Sequence, residues 1–189
     1  MRKFLGLSRD EAVGIIVILC LVFLASFINL RKAVMRSRDN QRKADIKNIA
    51  AALDKYNKDF GKLPLSKNGF ILACEPVDVV GLTIEYSPCK WGKDALRDLS
   101  DLTYPPYLSS LPIDPQYNSG FNYLYISNGT RFQIYASLEG VGDDEYNAKI
   151  LARNLACGIK ICDFGIALGD TPLDKSIQEY ENELIQKSK

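Results

Sequence analysis

From Ala12 to Leu30 the chain reads AVGIIVILCLVFLASFINL, nineteen residues without a charge. As a helix rising ~1.5 Å per residue it would be ~28 Å long, close to the ~30 Å hydrocarbon layer of a bilayer. A helix apolar on every side has no face to offer water, so it requires lipid or other apolar helices around it. A cleavable secretory signal has a shorter apolar core, ~7–15 residues, followed by a small-residue cleavage site. Here Ala25 and Ser26 lie inside the run and Arg31 closes it. The segment is therefore expected to stay in a membrane, and the rest of the chain has to be built around it.

The remaining length suits one folded domain with accessories. A net charge of +1 implies no strongly acidic or basic partner, and the chain has no histidine. That removes the commonest general base and the commonest metal ligand. It excludes a histidine-based hydrolase triad or zinc site and points away from enzymes.

Charge and cysteine usage pull topology in opposite directions. Arg2, Lys3 and Arg9 precede the span, while Arg31, Lys32, Arg36, Arg38, Arg42 and Lys43 follow it. Counted as cations, these would keep the C-terminal part in the cytoplasm. Cys20 lies within the span, which leaves Cys74, Cys89, Cys157 and Cys162 in the soluble part. An even set in a small, loop-rich domain suits two disulfides in an oxidising compartment. Pairing 74 with 89 and 157 with 162 is the most local of three connectivities; four unpaired buried thiols is the other reading. A four-cysteine zinc site is disfavoured because no C-x-x-C occurs.

After the span, RKAVMRSRDNQRKADIKNIAAALDKYNKDFGKLP continues as helix, with Val34, Ile46, Ile49, Ala50, Leu53 and Tyr56 on an amphipathic face. Gly61 and Pro64 are expected to stop it. One helix from about Leu7 to about Tyr56 would be roughly 75 Å long. A short helix is expected over Asp94–Leu102, and the prolines of YPPYLSSLPIDP predict an extended, turn-rich segment. In FNYLYISNGTRFQIYASL, residues 121–138, Asn128-Gly129 suits a two-residue type I′ hairpin turn. That turn pairs Tyr125 with Phe132, Tyr123 with Ile134 and Phe121 with Ala136, giving one apolar face to seat the Ile46, Ile49 and Leu53 stripe. CGIKICDFGIAL is expected to add a strand. The tail from residue 173 is charged, with too little apolar surface to hold a helix firmly.

The leader MRKFLG, Glu11, the two-part helix and the hairpin together resemble type IV pilins and the pseudopilins of type II secretion systems. YLSSLPIDP followed by a strand pair is similar to the turn-and-sheet region of the major pseudopilin. The resemblance covers roughly residues 1–140. It implies an α+β fold: a long N-terminal helix, transmembrane in its first half and amphipathic in its second, packed on a small antiparallel sheet. The implied organisation is a leader at 1–6, a membrane and filament-core segment at 7–30, an amphipathic segment at 31–62, a globular head at 63–172 and a tail at 173–189. It further implies cleavage after Gly6 by a membrane peptidase, N-methylation of the new terminus Leu7, and assembly into a pilus or pseudopilus. The implied location is the inner membrane, single-pass, with an extracytoplasmic head. The implied partners are copies of itself, other pilins, the prepilin peptidase, the assembly platform and membrane lipid.

The resemblance gives Glu11 a role that physical chemistry supports. A carboxylate costs ~2.5–3.5 kcal/mol to place at mid-membrane. Pairing with the N-terminal amine of a neighbouring copy would offset that cost and set the axial register. A solvated boundary charge is the simpler reading of Glu11. Major pseudopilins bind calcium near the C-terminus, and Asp143, Asp144 and Glu145 offer oxygen ligands of the right kind, although no specific ligand pattern matches. The basic run Arg31–Lys43 has no interleaved aromatics, which favours a solvated or headgroup-facing turn of helix over nucleic-acid binding. Asn128-Gly129-Thr130 fits a glycosylation sequon, but the turn already explains those residues. The rival reading is an uncleaved signal-anchored extracytoplasmic domain, such as an adhesin. A membrane-tethered enzyme would need paired carboxylates, and none stand out.

Overall fold

The computed structural model describes residues 9–74, 77–80, 83–101 and 103–188. Helix α1 runs unbroken over Arg9–Phe60. Gly14 and Gly61 are the first two glycines after Arg9 and the first proline is Pro64, so nothing interrupts the backbone hydrogen bonds in between. Asp10 and Glu11 lie in its first turn and Lys58 in its last, each sign favourable to the helix dipole. Gly61 ends the helix with φ +65°, its N–H donating to the Asn57 carbonyl at 2.8 Å, a left-handed cap that a side chain would strain.

Two compact units divide the chain, residues 1–38 and 39–189. In the first, the apolar part of α1 is long enough to cross a membrane, and its most apolar stretch is wholly exposed. In the second, α1 buries Asp39, Arg42, Ile46, Ile49 and Leu53, alternating steps of three and four that line one face. Val34, expected on this stripe, is exposed; the stripe opens instead on two charged residues. Each fully buried Ile or Leu contributes roughly 2 kcal/mol.

The remainder is small antiparallel sheets. Strands β1 (Ser66–Lys67) and β2 (Phe70–Ile71) form a hairpin, and β3 (Val77–Val80) pairs with β4 (Thr83–Tyr86) between the cysteines of the Cys74–Cys89 disulfide. The central sheet holds β5 (Leu124–Ser127), β6 (Phe132–Ala136) and, following α2 (Ala148–Leu151) and the β7–β8 hairpin (Ala156–Cys157, Lys160–Ile161), β9 (Phe164–Ala167), in the order β5-β6-β9. Helix α3, Ile177–Lys187, closes the chain. The α+β arrangement implied by the resemblance is therefore present, with α1 packed on a small antiparallel sheet through the Ile46, Ile49 and Leu53 stripe and Tyr123, Tyr125, Phe132 and Ile134.

Several sequence expectations need correction. The hairpin register is Ser127 with Phe132 and Tyr125 with Ile134, two residues away from the expected pairing. The cause is side-chain chemistry in the loop. Asn128 Oδ1 accepts from Thr130 N–H at 3.1 Å and Arg131 N–H at 2.9 Å, and Gly129 has positive φ while Asn128 does not. A four-residue loop closes in place of a type I′ turn, which needs positive φ twice. Because the slip is two residues, the inward and outward faces survive it. The helix expected at Asp94–Leu102 is absent among the described residues: Leu96 instead bridges Leu108 in both backbone directions, at 2.9 and 3.2 Å. The expected strand in the cysteine-bracketed segment is β9. The tail is held better than its composition implied. Ser176 caps α3 in a reciprocal box with Glu179, which satisfies two orphan donors.

The outer face of β6 is covered too. Tyr135 packs with Ile150, Cys157 and Cys162. The buried Gln133 amide donates to the carbonyls of Pro172 and Lys175. Residues 172–175 thus belong to the packing of the sheet, although the sequence placed a tail boundary there.

Candidate assembly interface

Gly6 and Leu7, the expected cleavage and methylation site, lie outside the described residues. Glu11 is exposed in the first turn of α1. Beyond it the helix exposes Ile16, Leu19, Phe23 and Leu24, each by more than half. Monomeric soluble proteins rarely leave so large a contiguous apolar surface uncovered, and patches of that kind mark membrane or protein contact. Cys20, a free thiol, is one small residue on this surface. At the polar end, Phe23 and Phe27 stack at 6.5 Å, and the Arg31 guanidinium lies 4.4 Å over the Phe27 ring. The three sit four residues apart on one face, so the arginine stem covers apolar ring surface while its charge reaches away.

In the second unit the decisive group is Arg42, whose side chain is wholly buried. Its Nε donates to Asp114 Oδ2 at 2.8 Å and its Nη2 to Asp114 Oδ1 at 3.2 Å. The other nitrogen, Nη1, donates to Asp39 at 2.8 Å and Glu139 at 2.9 Å, and Nη2 also reaches Gln116 at 2.7 Å. The guanidinium lies 5.1 Å over the Phe121 ring. Burial opposes the charge, but the hydrogen bonds to Asp114, Glu139 and Asp39 outweigh it and hold the pKa above its ordinary value. Asp39 completes the junction by accepting the backbone N–H groups of Glu139 and Gly140. One helical residue therefore ties α1 to the LPIDP turn and to the segment after β6.

Nearby carboxylates are placed by burial rather than by charge. Asp45 accepts from the Tyr123 hydroxyl at 2.7 Å. Desolvation raises the Asp45 pKa and, with that hydrogen bond, raises the Tyr123 pKa as well. Asp163, buried and accepting from Leu138 N–H at 2.7 Å, is pushed up to about 6, chiefly by desolvation.

The acidic loop bends back to the helix. Lys43 Nζ lies 2.7 Å from Asp143 and 3.0 Å from Glu145, and Lys47 lies 3.4 Å from Glu145. Asp144 is exposed. Two of the three carboxylates considered for calcium are thus already neutralised by a lysine, which does not fit a cation site. Among the described residues no group of three or more acidic or cysteine side chains gathers to hold a metal.

Both local disulfides form, Cys74–Cys89 and Cys157–Cys162. The second staples the β7–β8 turn, which lies against the chain at Gly120: Ile159 N–H donates to the Gly120 carbonyl at 2.9 Å and Asn122 N–H to Cys157 at 3.2 Å. Gly158 has φ +77°, and a Cβ there would fall 1.9 Å from the Gly120 carbonyl oxygen. Only glycine permits that approach.

The sequence reading missed Arg42, Asp114, Glu139 and Asp163. The one available signal was the pair Asp39 and Arg42, spaced to share a helix face with Ile46 and Ile49, where charged residues have no reason to sit unless something answers them. Compared with known protein families, characterised proteins and solved structures, the chain matches none.

Proposed function

We propose that the chain is a pilin-like structural subunit, inserted in the membrane with its N-terminus inside. It is cut after Gly6, methylated on Leu7, and assembled into a pilus or secretion pseudopilus through its apolar helix. The observation that carries this reading is α1 itself: a single helix of 52 residues, its first part exposed and apolar all round, its second part locked into a stapled head. A helix with no polar face can leave a bilayer only for another apolar surroundings, and a bundle of identical helices is one. Glu11 pairs with the new N-terminal amine of a neighbour in this scheme. Work of extraction comes from a separate ATPase, since the chain carries no phosphate-binding loop motif.

A second reading, an uncleaved signal-anchored extracytoplasmic domain such as an adhesin, is favoured by Ser8, Arg9 and Asp10. These polar residues stand between Gly6 and Glu11, where pilins are apolar. Mass spectrometry of the membrane-extracted protein separates the two. A methylated Leu7 terminus is expected; an intact Met1 terminus sinks the pilin reading.

A further inference from the structure

Five of the six cations in the basic run after the span fall into two sets with different work. Arg42 and Lys43 are consumed inside the head by Asp39, Asp114, Glu139, Asp143 and Glu145. Arg31, Lys32 and Arg36 are exposed, and none has an ion-pair partner among the described residues. No Asp or Glu occurs between Glu11 and Asp39. We infer that Arg31, Lys32 and Arg36 form a collar that binds the phosphates of anionic phospholipid headgroups in the leaflet facing the head. This rests on the reading of α1 as a membrane span.

Three dimensions fit. From Ala12 to Leu30 the uncharged helix is ~28 Å long, one hydrocarbon thickness. From Arg31 to Arg36 the helix rises a further ~7.5 Å, comparable with the ~5–7 Å of headgroup layer on each side of a bilayer. At ~100° per residue the three side chains lie within a sector of about 140°, so adjacent phosphates can be contacted together. Arg31, seated on Phe27, fixes the depth, with its ring partner in the acyl region and its charge at the phosphates. The chemistry selects lipid over nucleic acid: no aromatic residue occurs from 31 to 43 to stack a base, and the nearest rings lie on the apolar side.

The test uses the full chain reconstituted in phosphatidylcholine vesicles with spin-labelled phosphatidylglycerol or phosphatidylcholine, reading the motionally restricted lipid. A preference for phosphatidylglycerol of about fivefold or more is expected, the factor for one cation at an anionic surface. It should fall toward unity in Arg31→Gln/Lys32→Gln/Arg36→Gln and survive in Lys62→Gln/Lys93→Gln/Lys160→Gln, which removes three exposed head cations. Equal restriction of both lipids, or a preference that survives the first triple substitution, overturns the inference. Loss of the preference to inorganic phosphate beyond the effect of matched chloride reassigns the collar to a soluble anion and also overturns it. Tight binding of a single-stranded oligonucleotide by the same three residues does likewise. Protein that washes off with alkaline carbonate sinks the membrane reading itself; protein that stays inserted without lipid preference sinks only the collar.

Discussion

Arg42 and Asp114 meet in a two-pronged contact, at 2.8 and 3.2 Å, although 72 residues of chain separate them. Both side chains are essentially inaccessible to water. Removing one partner of such a pair strands a buried charge, which costs ~3–5 kcal/mol. Asp114→Ala should therefore lower the stability of the head by an amount near the bottom of that range, since Asp39 and Glu139 still hold the guanidinium. Denaturant unfolding of the full chain, followed by the emission of its single tryptophan, measures it. A loss below ~1 kcal/mol would show that water reaches the junction.

Asp163 predicts an unusual acid response. Its pKa is raised to about 6 in the folded protein, against ~3.9 unfolded. The folded state then binds more protons between those values, so this residue adds stability as pH falls from 7 toward 4. The contribution is on the order of 2 kcal/mol. Asp163→Asn keeps the acceptor for Leu138 N–H and should flatten that rise. Unfolding midpoints compared at pH 7 and pH 5 would decide it; equal slopes for both proteins would refute the assignment.

Lys43, Asp143 and Glu145 act in the opposite direction. The hydrogen bond from Lys43 lowers both carboxylate pKa values, so their contribution is present above pH ~4 and lost as pH falls through the lowered values. Both groups are partly exposed, so Lys43→Met should cost no more than about 1 kcal/mol at neutral pH. Calcium should raise the melting temperature of neither form. A calcium-dependent rise in the native protein would restore the cation site.

Gly158→Ala should damage the stapled turn out of proportion to one methyl group. Its Cβ would overlap the Gly120 carbonyl, and φ is positive, so a loss of ~2 kcal/mol or more is expected. Replacing Cys157 and Cys162 together by serine should remove ~2 kcal/mol of loop-closure stabilisation, against ~3 for Cys74 and Cys89, whose loop is longer. Thermal melts of the three variants rank the effects.

If the proposed pilin-like function holds, Glu11→Ala leaves insertion and cleavage largely intact and stops incorporation into filaments. Co-sedimentation of sheared filaments provides the assay, and normal filaments from this variant would end the proposed role of Glu11.

What the sequence made legible follows from the range of each interaction. A helix long and apolar enough to cross a membrane needed only length and the absence of charge. The helix needed only the absence of breakers, and the disulfides turned out to be the most local pairing. The hairpin faces were legible because alternation is local. Its register was not, because the choice between a two- and a four-residue loop lay with one Asn128 side chain. Leu96 went astray for the opposite reason: its helical spacing was overridden by backbone pairing with Leu108. Arg42 looked like one more cation in a basic run because its partners lie 72 and 97 residues downstream. A contact at that separation leaves no mark on local pattern except a charge where an apolar residue is due.

That same separation sets a clock on biosynthesis. Glu139 follows Arg42 by 97 residues, which at ~5–20 residues per second is roughly 5–20 s of translation. Throughout that interval the Arg42 guanidinium lacks its Glu139 acceptor, and for the first 72 residues of it lacks Asp114 as well. Residues 39–60 of α1 are therefore made well ahead of the acceptors that close on Arg42, and the junction is complete only once Glu139 has been synthesised.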